Sequence, residues 1–330
     1  MKSKVIIIGA TGGVGSYLLD YLFEHMGDDF DLVACGRRDT DFFDRYGIRY
    51  CKLDMSCADD FSRLPQNDVH AVVLLGGLLP AGMEGYSPQD YIKVNSMGAL
   101  NVLEYCKKVQ ADRILYTQTI SDVLGGVSAE HPVIAPDAPR NIIMSGDHAV
   151  YALSKCLAVD LIEHYKQQYG LKGFVFRLPT IYLYKPNPYW HVDGQKRMMG
   201  YRLIMDRASR GEPLEIWGDP TRAKDVVYVK DLCQMFAKAI VCDAQGGIFN
   251  VGTGVGVTTE EQIRGIAKVF CPAGCESEIS YHPEKPSGPS YIMDVSNARD
   301  VLGYRSLFGY LDYLEDFKRE QELNRFADLY

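Results

Sequence analysis

The stretch GATGGVG, residues 9–15, follows four apolar residues, Val5–Ile8, and leads into VGSYLLDYLFEHM. Four of its seven positions are glycine. Gly9, Gly12 and Gly15 form G-x-x-G-x-x-G between an apolar run and a helical pattern with Val14, Leu18, Leu19, Leu22 and Phe23 on one face. In such a turn the first glycine permits the tight bend and the second lets backbone approach a pyrophosphate. The third lets helix and strand pack closely, and the helix N-terminus faces the phosphates. A glycine pattern alone is weak, and a purely structural strand-to-helix turn is the bland alternative. The strand before it and the helix after it favour a dinucleotide site.

The end of the next apolar run says which dinucleotide. NAD readers place Asp or Glu there, bonded to the ribose 2′-OH. Here the run ends ACGRRD, with Gly36 at the acid's place and Arg37 and Arg38 after it. An acid repels a 2′-phosphate, whereas arginine grips it with two parallel N–H groups. NADP is therefore expected, with NAD as the alternative if Asp39 serves the ribose and the arginines are solvated. Asp54, after YCKL, is placed to meet the adenine amino group.

The same alternation continues. Apolar runs at KVIIIGA, DLVACG, IRYCKLD, HAVVLLGG, DRILYTQT and KGFVFRLPT are separated by helical patterns, including YIKVNSMGALNVLEYCKKV as one long helix and AVYALSKCLAVDLIEHYKQQYG. Gly170 is the expected C-cap of the latter. Strands lacking polar alternation, separated by helices, indicate a parallel sheet covered on both faces. The expected fold is α/β, a Rossmann-like doubly wound parallel sheet with a smaller, discontinuous C-terminal substrate domain. Residues 1–178 form the dinucleotide half, with 224–257 returning to it; 179–223 and 258–330 form the substrate half.

The chain has 330 residues, 47% of them hydrophobic, enough for two closely joined domains. The net charge is −8, without the clustered Lys and Arg of a nucleic-acid footprint. Nine cysteines lie scattered, as reduced thiols do in the cytosol. Cys271 and Cys275, with His282 nearby, have C-x3-C spacing but no second pair, so no metal is expected. The longest apolar stretch, AVVLLGGLLPAGM (71–83), is short for a membrane helix and carries Gly and Pro. The protein reads as soluble and cytoplasmic.

YALSK puts Tyr151 and Lys155 four residues apart, on one face of the expected helix. A tyrosine is a poor base at neutral pH, and a nearby ammonium favours its phenolate. Y-x-x-x-K is common by chance; its position after the fifth strand raises its weight.

With that pair in place, the chain resembles the extended short-chain dehydrogenase/reductase superfamily, in its NAD(P)-dependent nucleotide-sugar epimerase/dehydratase group. The resemblance runs nearly end to end. It is carried by GATGGVG, NSMGALNVLE (95–104), RILYTQT (113–119), YALSK, FRLPTIY (176–182), GEPLEIWGD and KDVVYVKDL (211–232), GIFNVGTG (247–254) and MDVSNARDVLGY (293–304). It implies Thr119 as the hydroxyl that holds the reacting substrate oxygen, Tyr151 as acid and base, and Lys155 as its tuner and nicotinamide-ribose ligand. On the cofactor side it adds Thr11, Gly13, Val14, Met55, Leu75, Gly76, Asn95 and Pro179. On the substrate side it adds Thr180, with Arg222 and Lys224 neutralising a nucleotide diphosphate. Arg197 is a weaker third cation, better read as surface charge. A homodimer is implied through the helices around 91–109 and 149–169. Tyr91, Val94, Leu100, Leu103, Leu157, Leu161 and Ile162 supply either that face or the core.

The departures narrow the activity. The 4,6-dehydratases of the group carry Asp-Glu after the catalytic Thr, and here Ile120 and Ser121 follow Thr119, so that elimination is disfavoured. Tyr182-Leu183 stands where Tyr-Gly is usual, and Leu124 replaces an aromatic before Gly125; both changes are expected around the sugar pocket. YKPNPYWH (184–191) reads equally as a lid or as a loop packed on its own domain. The expected function is an NAD(P)-dependent epimerase or ketoreductase of a sugar, which the resemblance implies is nucleotide-linked. A reductase of a small non-nucleotide carbonyl or alcohol is the alternative, and an NADP-sensing binding protein is the alternative of another class.

Overall fold

The computed structural model describes residues 2–128, 130–192, 194–274 and 277–330. Seven strands form one parallel sheet: β1 (Ser3–Ile8), β2 (Phe30–Gly36), β3 (Arg49–Lys52), β4 (Val69–Leu74), β5 (Arg113–Thr119), β6 (Lys172–Leu178) and β7 (Gly246–Asn250). Their spatial order is β7-β6-β5-β4-β1-β2-β3. The chain starts in the middle, runs to one edge, then returns to build the other. That reversal leaves a crevice beyond the C-terminal ends of β1 and β4, where doubly wound folds bind ligands. Val5, Ile6, Ile7 and Ile8 are all buried because helices cover both faces of the sheet.

On one face lie α1 (Gly13–Met26) and, packed against it, a helix over Val229–Val241. On the other lie α2 (Gly98–Val109) and α3 (His148–Tyr169). α3 ends as expected: Gly170 adopts φ 73° and donates its N–H to the Lys166 carbonyl. The single helix expected over residues 91–109 is instead interrupted. A short turn at Pro88–Tyr91 passes through a π-helical segment, Ile92–Met97, before α2 begins. The widened turn contains Asn95, whose side chain leaves the helix to bond elsewhere, and such segments gather at functional sites.

The remaining residues build a second layer against the crevice. The hairpin Tyr189–Val192 with Gln195–Met198, the helices Gly200–Ser209, Thr259–Phe270 and Tyr310–Leu323, and the parallel pair Leu214–Trp217 with Ile279–His282 belong to it. Thr258 and Glu261 close a capping box at the start of the second of these helices. Two short pairings stitch the layers: Ile181–Tyr182 with Val227–Tyr228, and Val133–Ile134 with Ile292–Met293. Among the described residues no helix is long and apolar enough to cross a membrane.

Candidate active site

The glycine turn is shaped as a phosphate cradle. Gly9 has φ +98°, and a Cβ there would lie 2.7 Å from the Gly76 nitrogen. This contact presses the turn against Leu75 and Gly76 at the end of β4. A Cβ on Gly15 would lie 2.1 Å from the Gly9 carbonyl oxygen, so only glycine lets α1 start this close to β1. A Cβ on Gly12 would stand 3.2 Å from the same oxygen. Backbone at this position is open to a pyrophosphate, and the chain fits a dinucleotide here.

The adenosine end is equally specific. A Cβ on Gly36 would meet the Thr11 hydroxyl at 2.6 Å, so the space an acid would need is taken by Thr11. Asp39, the alternative ribose ligand, lies in an exposed ion pair with Lys52 at 2.5 Å. Arg37 is exposed and close enough to Asp54 to help hold that carboxyl below its ordinary range, although hydrogen bonds from Ser56 contribute more against the upward push of burial. The Ser56 N–H and hydroxyl donate to one Asp54 oxygen at 2.9 and 2.7 Å. Met55 is buried beside Gly76 and Gly98, its sulfur 3.1 Å from where a Gly76 Cβ would be.

Thr119 ends β5, and its hydroxyl accepts from the Ser121 N–H at 3.2 Å. Tyr151, one turn into α3, is buried beside Thr119. Burial pushes the Tyr151 phenol up to about 12, against a smaller downward pull from Thr119. Lys155 is also buried, and loss of hydration alone brings its ammonium down to about 7. Its Nζ lies 4.1 Å from the Tyr116 ring centre and 3.9 Å from where a Gly77 Cβ would be. So Lys155 faces the strand end where β4 meets the crevice. The sequence-based expectation that Lys155 lowers Tyr151 is not the balance seen: burial dominates both groups and drives each towards its neutral form.

Lys155 therefore carries a testable stability signature. The unfolded chain holds this proton up to the ordinary 10.5, and the fold only to about 7. The unfolded chain binds more protons across that window, so stability rises with pH through it. Lys155→Met removes the penalty. The variant should melt higher than the parent at pH 6, with the gain shrinking as pH nears 10.5. Melting curves at pH 6 and pH 9.5 check this; an equal shift at both would refute it.

Asn95 is buried and hydrogen-bonded through both ends of its amide. Its Oδ1 accepts from the Leu78 N–H at 2.7 Å, and its Nδ2 donates to the Leu78 carbonyl at 3.0 Å and to Ser154 Oγ at 3.1 Å. It clamps the loop after β4 onto α3 and so places Gly77 against Lys155. Pro179 is buried and Thr180 exposed just after β6.

A second group of side chains gathers around Lys224. Its ammonium is largely buried, lowered by loss of hydration, and 5.5 Å from the Tyr182 ring centre. Tyr291 sits beside it, its backbone bridged to that of Lys224. Asp225, fully buried, accepts from Thr253 and Gly254 N–H groups at 2.8 and 3.0 Å and fixes the strand that presents Lys224. Arg222 has a buried Nε with no partner among the described residues. Arg197 is not brought here; it is exposed and donates to Gln195 at 3.1 Å. Tyr291 was invisible in sequence, lying 67 residues from Lys224 without a motif.

The structure also places the segments around Leu183 and Tyr184. Leu183 Cδ1 stands 3.1 Å from where a Gly13 Cβ would be, over the first turn of α1. The chain crosses there because Ile181–Tyr182 pairs with Val227–Tyr228. YKPNPYWH divides: Tyr184 packs on Phe317 of its own layer at 5.9 Å, while Tyr189–Val192 forms one arm of the hairpin. Of the expected dimer face, Tyr91, Leu103 and Ile162 are core residues. Leu157 is exposed, as are Ile92, Met97 and Leu153. Cys275 lies outside the described residues; Cys271 meets Ser277 at 3.1 Å, and among the described residues no metal-holding cluster of His, Cys, Asp and Glu occurs.

Comparison with known proteins settles the grouping. A model of the NAD dependent epimerase/dehydratase family matches residues 5–252. The chain belongs to this family. It is thus an NAD(P)-dependent enzyme of the epimerase/dehydratase kind on a Rossmann-like fold. Its fold is similar to UDP-glucose 4-epimerase from Thermotoga maritima, solved with UDP-glucose: TM-score 0.77, 20% identity, 97% of this chain and 99% of that one. The UDP-glucose 4-epimerase of Thermus thermophilus, solved with NAD, gives a TM-score of 0.73 at 20% identity, over 97% and 99% of the two chains. In sequence, UDP-glucuronic acid decarboxylase 6 of Arabidopsis thaliana is 25% identical over 308 residues, covering 91% of this chain and 83% of that protein.

Proposed function

We propose that this family member acts on a nucleotide-linked sugar, as an epimerase or ketoreductase, with Thr119, Tyr151 and Lys155 at the reacting carbon. The observation that supports this best is the convergence of three buried side chains at the end of β5: Tyr151 beside Thr119, and Lys155 facing Gly77. When bound, the dinucleotide supplies hydride transfer at a carbon bearing oxygen. Thr119 holds the substrate oxygen. Tyr151 gives that oxygen a proton or takes one from it. Lys155 holds the nicotinamide ribose.

NADP is the proposed cofactor. The reasons are Thr11 in the acid's space, Asp39 bound to Lys52, and Arg37 and Arg38 at the strand end. The NAD reading rests on relatives such as the Thermus thermophilus protein, solved with NAD. Arg222 and Lys224, two cations without carboxylate partners among the described residues, suit a nucleotide diphosphate. Elimination of the 4,6-dehydratase type remains disfavoured. Ser121 occupies Thr119 by hydrogen bond, and the next acid, Asp122, is buried against Arg177.

Turnover of a panel of UDP-, GDP- and dTDP-sugars tests the substrate class. In the responsive case, Lys224→Ala should raise KM about ten- to a hundredfold with little change in kcat, the scale of one hydrogen bond to a charged group. A panel without turnover, alongside reduction of small ketones, would sink the nucleotide-sugar reading. The exposed Ile92, Met97, Leu153 and Leu157 also support a homodimer through α3, which sedimentation of the purified chain reads directly.

A further inference from the structure

Gly13 is the one glycine of GATGGVG that the turn itself does not explain. It is the first residue of α1, its φ is outside the left-handed region, and other residues adopt that conformation freely. What it makes room for is remote in sequence. A Cβ there would stand 3.1 Å from Leu183 Cδ1 and 3.4 Å from the Tyr330 hydroxyl. Leu183 is the residue that departs from the family's Tyr-Gly, and Tyr330 lies more than 300 positions away.

Tyr330 arrives on a short segment, residues 324–330, that leaves the helix Tyr310–Leu323 and crosses onto the dinucleotide half. Arg325 pairs with Asp20 of α1 at 2.7 Å. Phe326 is buried against Tyr17 of α1, ring centres 4.8 Å apart. Asp328 pairs with Arg45 at 2.9 Å. The Tyr330 side chain is half-exposed, while its hydroxyl points at the first turn of α1, 3.4 Å from where a Gly13 Cβ would be.

The segment also holds Arg38. Arg38 Nη1 donates to the Leu329 carbonyl, and its guanidinium stands 5.9 Å from the Tyr330 ring centre. The backbone of the same residue is held from the other side, where the Tyr50 hydroxyl donates to the Arg38 carbonyl at 2.5 Å. One carbonyl uses one of five guanidinium donors and fixes the plane; the rest stay available for an anion. Arg37 and Arg38 are both exposed, and Arg37 lies towards Asp54.

We propose that segment 324–330 is a positioning element of the dinucleotide site, with Tyr330 and Leu329 orienting Arg38 for the cofactor 2′-phosphate and Tyr330 bracing the phosphate turn in the space Gly13 leaves. The selectivity for NADP over NAD is thereby set partly by residues of the substrate layer. This rests on the NADP reading above.

The test is direct titration of the full chain with NADPH and with NADH, following nucleotide fluorescence, for the parent, Tyr330→Ala and Tyr330→Phe, with a melting curve of each free protein. Tyr330→Ala should weaken NADPH about tenfold, the scale of one charge-assisted hydrogen bond, and NADH by much less. Tyr330→Phe keeps the ring and should retain the parent's preference for NADPH. Equal weakening of both nucleotides would mean a structural role only and overturns the proposal, as would unchanged affinities. Tighter binding by Tyr330→Ala would show that the segment competes with the cofactor, and also overturns it. A parent that prefers NADH overturns the NADP reading and this proposal with it. A parent that binds NADPH preferentially, with Tyr330→Ala unaltered, overturns this proposal alone.

Discussion

Tyr151→Phe is expected to slow turnover by about 10²- to 10⁴-fold, the usual contribution of a placed acid–base group. The substitution removes one oxygen and keeps the ring, which is buried and 5.8 Å from Tyr91. The fold should tolerate it, so melting temperature and dinucleotide affinity should stay near the parent's. The direction of the proton follows from the phenol's environment. Burial holds Tyr151 up near 12, so at neutral pH it carries its proton and serves reduction readily. Oxidation needs the phenolate, and its rate should climb with pH through the neutral range. Steady-state kinetics in both directions at matched pH checks this. Turnover within tenfold of the parent would remove Tyr151 from the chemistry.

The second large effect is on stability. Arg177→Leu should cost about 3–5 kcal/mol, because it strands a buried carboxylate. Asp122 and Arg177 are each 2% exposed, and Arg177 Nε lies 3.1 Å from both Asp122 oxygens. The same guanidinium donates to Asn250 Oδ1 at 3.0 Å and to the Pro136 carbonyl at 3.2 Å. It joins β6, β7 and the loop after β5. Burial raises the Asp122 carboxyl even with Arg177 pulling it down. In the variant that pull is gone, so the folded carboxyl rises further. A carboxyl raised in the fold contributes stability at low pH that is lost as pH climbs through its folded value. The variant should therefore recover part of its deficit on acidification, and Arg177→Leu with Asp122→Leu should recover more. Urea unfolding at pH 5 and pH 7.5 reads both; a loss below about 1 kcal/mol at pH 7.5 would show that the pair matters little.

The two effects differ in how far sequence could see them. Tyr151 was legible because the Tyr–Lys spacing is set by one helix turn, and a helix turn is local. Six of the seven strands of the sheet were legible for the same reason: each is an apolar run bounded by its own turn residues. Arg177 sat inside a quoted motif, FRLPTIY, without a role, because its partner is 55 positions away and a charge in a strand does not announce its burial. The helix expected over residues 91–109 failed at Asn95. A side chain that leaves the helix to clamp Leu78 and Ser154 widens the turn, and both partners lie on other elements. Lys155 stands on the same helix as Tyr151, as its spacing predicts, but the push of burial on both groups depends on how much water the fold excludes.

Sequence by itself determined the class of fold, the glycine turn with its dinucleotide, and the Thr–Tyr–Lys set as candidates, because short-range periodicity and turn chemistry carry those signals. Only the tertiary structure decided what surrounds them. It brought Tyr291 to Lys224 and buried Asp122 against Arg177. It also set Leu183 over the first turn of α1, where Tyr330 joins it across nearly the whole length of the chain. Contacts of that kind depend on the path of the chain between distant elements, and no local pattern of residues encodes that path.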